Sequence, residues 1–450
     1  MTKTKQSSNL VAIITMCFIF AMISFVTNMA APFGNIWKGQ YSWAGMMGNM
    51  MNFAAYLFMG IPAGKMLQKI GYKKTTLIAL ATGFFGMVVQ WISSRGLGGA
   101  AIYVYLTGAF ICGFCVCMLN TVVNPMLNIL GGGGNKGNQL IQTGGTLNSL
   151  VGTLTPLLVG ILIGTVTDQT SMSDVAPLLF IAMGVFAIAF LIIFFVKIPE
   201  PAQERKSNVF EHSPWNFRHF VLGAVAIFFY VGIEVGIPAQ IIFYLSDATE
   251  KGAGIAVNGA AVGGAVAAIY WLLMMVGRFS STLISGKVST KAQLTAVSAL
   301  GIILTVIAIF IPKTVSVSMP GYSAAEGFSM VSVPLSCLFL VLCGLCTSVM
   351  WGGIFNMAVE GLGKYTEAAS GIFMMMVVGG GIMPLIQEAV AKGIVRLQRS
   401  DGTRAGADHH NPVLVHFQLF GMFKQIRQGR NGIFGGHINR FFQRLSVEDA

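Results

Sequence analysis

Apolar residues gather in eleven runs, roughly 10–33, 44–64, 75–92, 101–128, 140–165, 176–197, 219–245, 259–285, 291–312, 333–358 and 370–390. Each approaches or exceeds the ~20 residues that a helix needs to cross a bilayer. No water reaches the hydrocarbon, so a spanning segment must satisfy its own backbone polar groups, and a run of this kind crosses as a helix. The expected fold is an all-α polytopic membrane protein. Only 10% of the residues are charged and 54% are hydrophobic, against about 25% charged in a soluble protein. The formal charge of +12 resembles a nucleic-acid signal until its positions are inspected: the charges lie between the apolar runs. That distribution excludes a nucleic-acid binder, an ordinary soluble enzyme, a disordered chain and a disulfide scaffold. The first run is longer than a signal-peptide core and no small-x-small cleavage site follows it.

The runs fall into two groups. Six precede a polar connection, Ile198 to Arg218, that holds Pro199, Glu200, Pro201, Glu204, Arg205, Lys206 and Glu211. The rest follow it. The expected organisation is an N-terminal six-helix bundle over 1–197, a cytoplasmic linker over 198–218, and a C-terminal bundle over 219–390 with five clear spans. With the N-terminus inside, Lys3, Lys5, Lys65, Lys69, Lys73, Lys74, Lys136, Lys197, Arg205, Lys206, Arg218, Arg278, Lys287, Lys291 and Lys364 fall on the cytoplasmic side. Only Lys38, Arg95, Lys251, Lys313 and Lys392 fall outside. The bias of basic residues toward inner loops therefore places the N-terminus in the cytoplasm.

Residues 391–450 differ from what precedes them. Lysine is the usual base up to residue 395 and arginine after it, and His409, His410, His416 and His437 crowd into the same tail. Its best apolar run, Pro412 to Phe423, is too short to span. Eleven spans from an inner N-terminus would leave this basic tail outside, against the charge rule. Composition and topology point to an altered reading frame or a cloning junction near Lys392, with a lost twelfth span. A genuine basic tail that docks on anionic lipid or on a partner is the alternative.

The stretch Gly64 to Lys74, containing Gly64, Gly71, Lys73 and Lys74, resembles the loop signature of the major facilitator superfamily between spans 2 and 3. Gln68 stands where an acid is usual and Lys69 where arginine is usual. Arg278, with Gly286 and Lys287 after it, is its weak echo at the end of span 8. A narrower resemblance rests on Asn120-Thr121-Val122-Val123-Asn124-Pro125, Thr146-Leu147-Asn148-Ser149, Tyr230-Val231-Gly232-Ile233-Glu234, Tyr270-Trp271 with Gly277-Arg278-Phe279, and Glu360-Gly361-Leu362-Gly363-Lys364-Tyr365. Gly379-Gly380-Gly381 with Pro384 completes it. In this order they resemble the fucose:proton symporter and glucose/galactose permease branch over about residues 10 to 388. The resemblance implies two six-helix bundles, a sugar site at mid-membrane, alternating access, and coupling through carboxylates in spans 1 and 4. Those carboxylates align here with Asn28 and Asn120. An amide bonds a sugar hydroxyl but carries no proton.

Within the spans, Glu234 is the one carboxylate well inside. A charge at a helix centre costs about 2.5–3.5 kcal/mol on insertion scales, so such a residue faces the bundle interior or water. Tyr230, four residues earlier, shares its face and is in reach of a hydrogen bond. The two readings are a proton or substrate switch and a structural carboxyl that holds span 7 to a neighbour. Asn120 and Asn124 share a face of span 4, and Asn148 offers a similar amide in span 5. Trp271 and Trp351 could stack on a pyranose or simply pack. Gly380 and Pro384 would let span 11 bend. Gln142 and Asn356 serve as secondary polar candidates.

The expected function is secondary active transport of a small neutral monosaccharide, a hexose or deoxyhexose such as galactose, glucose or fucose, with proton-coupled uptake. A passive sugar carrier and a carrier-derived membrane sensor or scaffold are the alternatives. The chain is read as a monomer in the bacterial inner membrane, multi-pass, with the lipid bilayer and a proton as its other partners. It is not read as an enzyme and needs no cofactor. Neither Gly131–Gly134 nor Gly286-Lys287 continues into a phosphate-binding loop. The cysteines Cys112, Cys115 and Cys117 lack histidine or carboxylate neighbours for a metal, and read as packing residues.

Overall fold

The computed structural model describes residues 3–41, 44–45, 47–163, 171–200, 213–246, 252–253, 255, 259–323 and 327–387. The atypical tail 391–450 and residues 201–212 of the linker lie outside them. Ten helices follow in order among the described residues: α1 (Lys3–Gln40), α2 (Met47–Ile92), α3 (Ala101–Leu130), α4 (Gly134–Ile163), α5 (Ala176–Phe195), α6 (Arg218–Ser246), α7 (Gly259–Ile284), α8 (Thr290–Phe310), α9 (Leu335–Val359) and α10 (Thr366–Met375). A 3-10 turn, Met376–Val378, extends α10, and helix resumes over 379–387. Nine segments among the described residues are long and apolar enough to cross a membrane.

One of those segments is too long to be a single span. At 46 residues, α2 would extend about 69 Å, more than twice the ~30 Å hydrocarbon thickness. The backbone breaks at Gly71, whose φ of 85° and ψ of 177° lie in a region essentially reserved for glycine. Both arms lie beside the same turn of α3: Gly113 packs on Asn52 of the first arm, and Cys112 on Gly86 of the second. The chain therefore reverses at Gly71. The reversal is fastened from a distance. The Glu200 carboxylate accepts hydrogen bonds from the Tyr72 and Lys73 amides at 2.7 and 2.8 Å, which satisfies donors freed at a helix start and places a negative charge there. Lys73 Nζ donates to the carbonyls of Phe194 and Val196 at the end of α5, both at 2.8 Å.

In the N-terminal half α1 packs on α4, and α2 on α3 and α5. In the C-terminal half α9 packs on α6, α7 and α8. The most extensive contacts between α1–α5 and α6–α10 are α4 with α7 and α2 with α10; α4 with α9 and α3 with α10 add to them. The α2–α10 contact is very close because it is lined by glycine. A Cβ placed on Gly371 would stand 2.5 Å from the Gly60 carbonyl oxygen and 2.8 Å from Gly64 Cα.

The all-α expectation needs one correction. Residues Ser316–Ser323 (β1) pair antiparallel with Gly327–Pro334 (β2), with Met319 opposite Val331 and Val317 opposite Val333. Met319 and Val333 are buried in a cluster with Val266, Tyr270, Cys337 and Val341. Ser316, Ser318 and Pro320 are exposed. This is the alternation of a hairpin with one covered face.

Candidate functional site at the seam between the halves

The first helical turns of α4 carry Asn135, Asn138, Gln139 and Gln142, whose spacing puts amides along one stripe. That stripe meets the C-terminal end of α7 as a ladder. The Thr290 amide, at the start of α8, donates to Asn135 Oδ1 at 3.3 Å, Asn138 Nδ2 donates to Ser285 Oγ at 3.2 Å, and Gln139 Nε2 to the Thr282 carbonyl at 2.9 Å. Gln142 Nε2 reaches the Val349 carbonyl of α9 at 3.0 Å. Nearby, Asn128 of α3 bonds Asn356 of α9, and Asn356 Nδ2 donates to Thr290 Oγ1 at 3.3 Å. The end of the molecule that bears the basic loops is thus closed by neutral amides and hydroxyls. Tyr72 and Glu367 add a 3.4 Å contact from the α2 turn to α10.

Arg278 is the deepest rung. Its Nη1 donates to Ser149 Oγ at 2.8 Å, the Gly145 carbonyl at 3.2 Å and Asn148 Oδ1 at 3.4 Å, all on α4. Its Nη2 pairs with Glu234 Oε1 of α6 at 3.1 Å, with side-chain exposures of 8% and 13%. A buried pair is costly to desolvate and is tolerated when the remaining donors are bonded, which is what the α4 acceptors provide. Asn148 in turn donates to the Phe20 carbonyl of α1 at 2.8 Å, so one guanidinium draws α1, α4, α6 and α7 together.

A second polar chain runs beside it. Tyr230 is fully buried, its ring 6.3 Å from that of Trp351. Its hydroxyl stands beside the Glu234 carboxylate, as the spacing predicts, without a hydrogen bond of ordinary geometry; the carboxylate's ion pair is with Arg278. Trp351 Nε1 donates across the seam to Asn124 Oδ1 at 3.0 Å, Asn124 Nδ2 to the Asn120 carbonyl at 2.8 Å, and Asn120 Nδ2 to the Tyr56 hydroxyl at 2.9 Å. Asn120, Asn124, Asn148, Tyr230, Glu234 and Trp351 are thereby brought to one seam. Asn28 is near it but turned to its own helix, bonding the Ser24 carbonyl at 2.8 Å, and it packs beside Gly152. Trp271 stands apart, partly buried in the C-terminal half's cluster, edge-on to Tyr270. Tyr270 itself bonds Thr347 of α9 at 2.8 Å. Gly64, Gly71 and Lys73 lie at the closed end. Gly380 packs against Phe53 and Val231, and Pro384 is buried.

Several residues at the seam were not singled out in the sequence. Tyr56, Ser149 and Glu367 carry no local signal that separates them from packing residues. Glu200 read as one acid among several in a charged connection. Arg278 read as part of a loop motif, although an acid and a base on adjacent spans are a natural pair. The cysteines are all unpaired and buried, and no cluster of metal-ligating residues occurs among the described residues.

The sequence matches the Major Facilitator Superfamily over residues 10–384. The chain belongs to the Major Facilitator Superfamily. It is a multi-pass membrane protein of a family of transporters rather than enzymes. A glucose/galactose transporter of Brucella abortus is 30% identical over 409 residues, covering 87% of this chain and 91% of that one. The L-fucose-proton symporter of Escherichia coli is 22% identical over 369 residues, 76% of each. Among solved structures, FucP in the outward conformation superposes with a TM-score of 0.70 at 18% identity, over 94% of this chain and 99% of that one. The proton:xylose symporter XylE bound to 6-bromo-6-deoxy-D-glucose gives 0.67 at 10% identity, over 94% and 95%. These likenesses fix the fold as that of the superfamily.

Proposed function

We propose that the chain is a secondary active transporter of a neutral monosaccharide, a hexose or deoxyhexose such as galactose, glucose or fucose. It works by alternating access, with uptake coupled to protons. The observation that carries the reading is the Brucella abortus relative, named a glucose/galactose transporter and matched over nearly its whole length. The seam agrees with it. Asn120, Asn124, Asn148, Tyr230 and Trp351 offer amides, a hydroxyl and an indole, donors and acceptors that suit a ligand made of hydroxyls. The unbonded Tyr230 hydroxyl is a buried polar atom that a sugar hydroxyl would satisfy. Asn28 and Trp271 complete the proposed substrate set, and Glu234 is the proposed proton carrier.

The two halves are proposed as 1–197 and 219–390, joined by a cytoplasmic linker over 198–218. Splitting α2 at Gly71 and adding α4 to the apolar segments supports eleven spans. The basic loops place the N-terminus and the closed end of the seam in the cytoplasm of a bacterial inner membrane, and the carrier acts as a monomer. Residues 391–450 are proposed to follow an altered reading frame or a cloning junction near Lys392, with the twelfth span lost.

Uptake of labelled galactose, glucose and fucose in transporter-deficient bacteria tests this. Saturable accumulation that collapses with a protonophore is the expected result. Saturable uptake that only equilibrates would retain the sugar and remove the proton. No uptake of any sugar, by this chain and by one with a restored twelfth span, would overturn the reading.

A further inference from the structure

We infer that Gln293 of α8 is a positioning residue for closure of the cytoplasmic end: it pins the turn between α7 and α8 into the shape that the α4 amides meet. The role rests on the alternating-access reading above. It falls to a side chain whose hydrogen bonds, among the described residues, all lie within its own half.

Three rungs of the ladder end on one short stretch of chain. Gln139 donates to the Thr282 carbonyl, Asn138 to Ser285 Oγ, and the Thr290 amide to Asn135 Oδ1. Between Ser285 and Thr290 the chain leaves α7, turns and starts α8, and Gly286, Lys287, Val288 and Ser289 are all exposed. A turn with so little packed over it belongs to the least stable parts of a fold unless something holds it. Gln293, 5% exposed, supplies that hold from the buried side. Its Nε2 donates to the Val288 carbonyl at 2.9 Å and to Ser285 Oγ at 3.1 Å, and its Oε1 accepts from Ser281 Oγ at 2.8 Å. One side chain thus ties together the last turn of α7, the exposed turn and α8.

The direction of these bonds carries the role. A backbone carbonyl accepts and cannot donate, so Val288 fixes which end of the Gln293 amide bears the hydrogens. The amide oxygen therefore faces Ser281, which must donate to it. Ser285 Oγ receives a hydrogen from Gln293 Nε2 and turns its own toward Ser281 Oγ at 3.2 Å or Gln293 Oε1 at 3.4 Å. Either way a lone pair is left for Asn138 Nδ2. The partners of Asn135, Gln139 and Gln142 are backbone groups of fixed polarity. Asn138 instead meets a hydroxyl, which is able to donate as well as accept, and Gln293 decides that it accepts. Without that amide the hydroxyl is free to turn its hydrogen on Asn138 Nδ2, donor against donor. When α4 withdraws, Ser281, Ser285, Val288 and Gln293 keep their bonds to one another. The C-terminal half then holds its face ready for the next closure.

The test uses the full chain, with spin labels at the exposed Lys69 of α2 and Glu360 at the end of α9, and reads the distance distribution without sugar. Gln293→Leu keeps the bulk and removes the bonds. Its ratio of closed to open protein should fall about 2- to 12-fold, as for the loss of one neutral hydrogen bond. Thr295→Ala, on the exposed face of the same helix and bonded only to its own backbone at Lys291, should leave the distribution unchanged. Asn138→Ala opens the same end by itself, and adding Gln293→Leu to it should shift the ratio by less than Gln293→Leu does alone, because the rung that Gln293 aims is already gone. Full additivity of the two changes would overturn the assignment. So would a Gln293→Leu protein with a lower thermal midpoint and an unmoved distribution, since Gln293 would then be a packing residue. If Gln293→Leu does not fold, Ser281→Ala, which removes the donor to Gln293 Oε1, should move the ratio the same way by about 2-fold, and an unmoved ratio there would overturn it instead. A protein that shifts its distances as expected yet takes up no galactose, glucose or fucose would remove the transport reading and support the role of Gln293.

Discussion

The contact between α2 and α10 leaves no room for a methyl group, and that makes Gly371→Ala an informative change. The added Cβ would stand 2.5 Å from the Gly60 carbonyl oxygen and 2.8 Å from both Gly64 N and Gly64 Cα. All three are backbone atoms, so no side chain can swing away, and the helices must part by roughly an ångström to reach ordinary van der Waals contact. Overpacking of this kind costs about 1–3 kcal/mol. The penalty falls on the closed state alone, because the same methyl meets no α2 backbone once α10 withdraws. At about 1.4 kcal/mol per tenfold, the closed-to-open ratio at the cytoplasmic end should fall about 5- to 150-fold. Spin labels at exposed Lys69 and Glu360 would report this as a shift toward longer distances. The native cysteines are buried, which limits stray labelling. Gly184→Ala, where a Cβ meets nothing within 4 Å, is the matched control and should leave the distribution alone. An unchanged distribution in Gly371→Ala, with the control also unchanged, would refute the idea that this glycine seam closes the carrier.

Three other changes probe separate parts of the molecule. Glu200→Gln leaves one oxygen to serve the Tyr72 and Lys73 amides and removes a charge from a helix start. The thermal midpoint in detergent should drop, for a loss of about 1–2 kcal/mol, and an unmoved midpoint would show that the fastening is dispensable. Gly71→Ala forces a side chain into φ 85°, ψ 177°, a strain of about 1–3 kcal/mol, which should appear as lower yield of folded protein on size exclusion. Asn124→Ala takes the acceptor from Trp351 Nε1 across the seam and should raise the KM for sugar with normal surface expression. Trp351→Phe should do the same, and the double variant should be no worse than either alone; additive effects would mean that the two do not act as a pair.

The runs of apolar sequence located the helices because length and composition decide what crosses a bilayer, but not their ends: α1 spans Lys3–Gln40 where the run is 10–33, and α4 begins at Gly134 where the run begins at 140. The same logic explains what was hidden. The hairpin Ser316–Pro334 falls between the apolar runs 291–312 and 333–358, although Ser-Val-Ser-Met-Pro alternates as a half-covered strand should. A pattern of five residues is short beside runs of twenty. At the seam, Glu234 stood out because an acid inside a span is rare, and Asn120, Asn124 and Asn148 because amides in apolar runs are uncommon. What no spacing rule supplied was the pairing between helices. Arg278 and Glu234 lie on different helices, and their meeting depends on how α6, α7 and α4 pack. The nearness of Tyr230 to Glu234 could be read from spacing because it belongs to a single helix.

The buried pair has an electrical consequence. With Glu234 ionised its charge cancels that of Arg278, and the neighbours on α4 are a carbonyl, an amide and a hydroxyl. Rocking the empty halves therefore moves no net charge from this pair through the membrane field. A proton on Glu234 leaves one positive charge uncancelled, and each elementary charge that crosses 100 mV exchanges about 2.3 kcal/mol with the field. A potential negative inside would then pull the loaded carrier inward and leave the empty return indifferent to voltage.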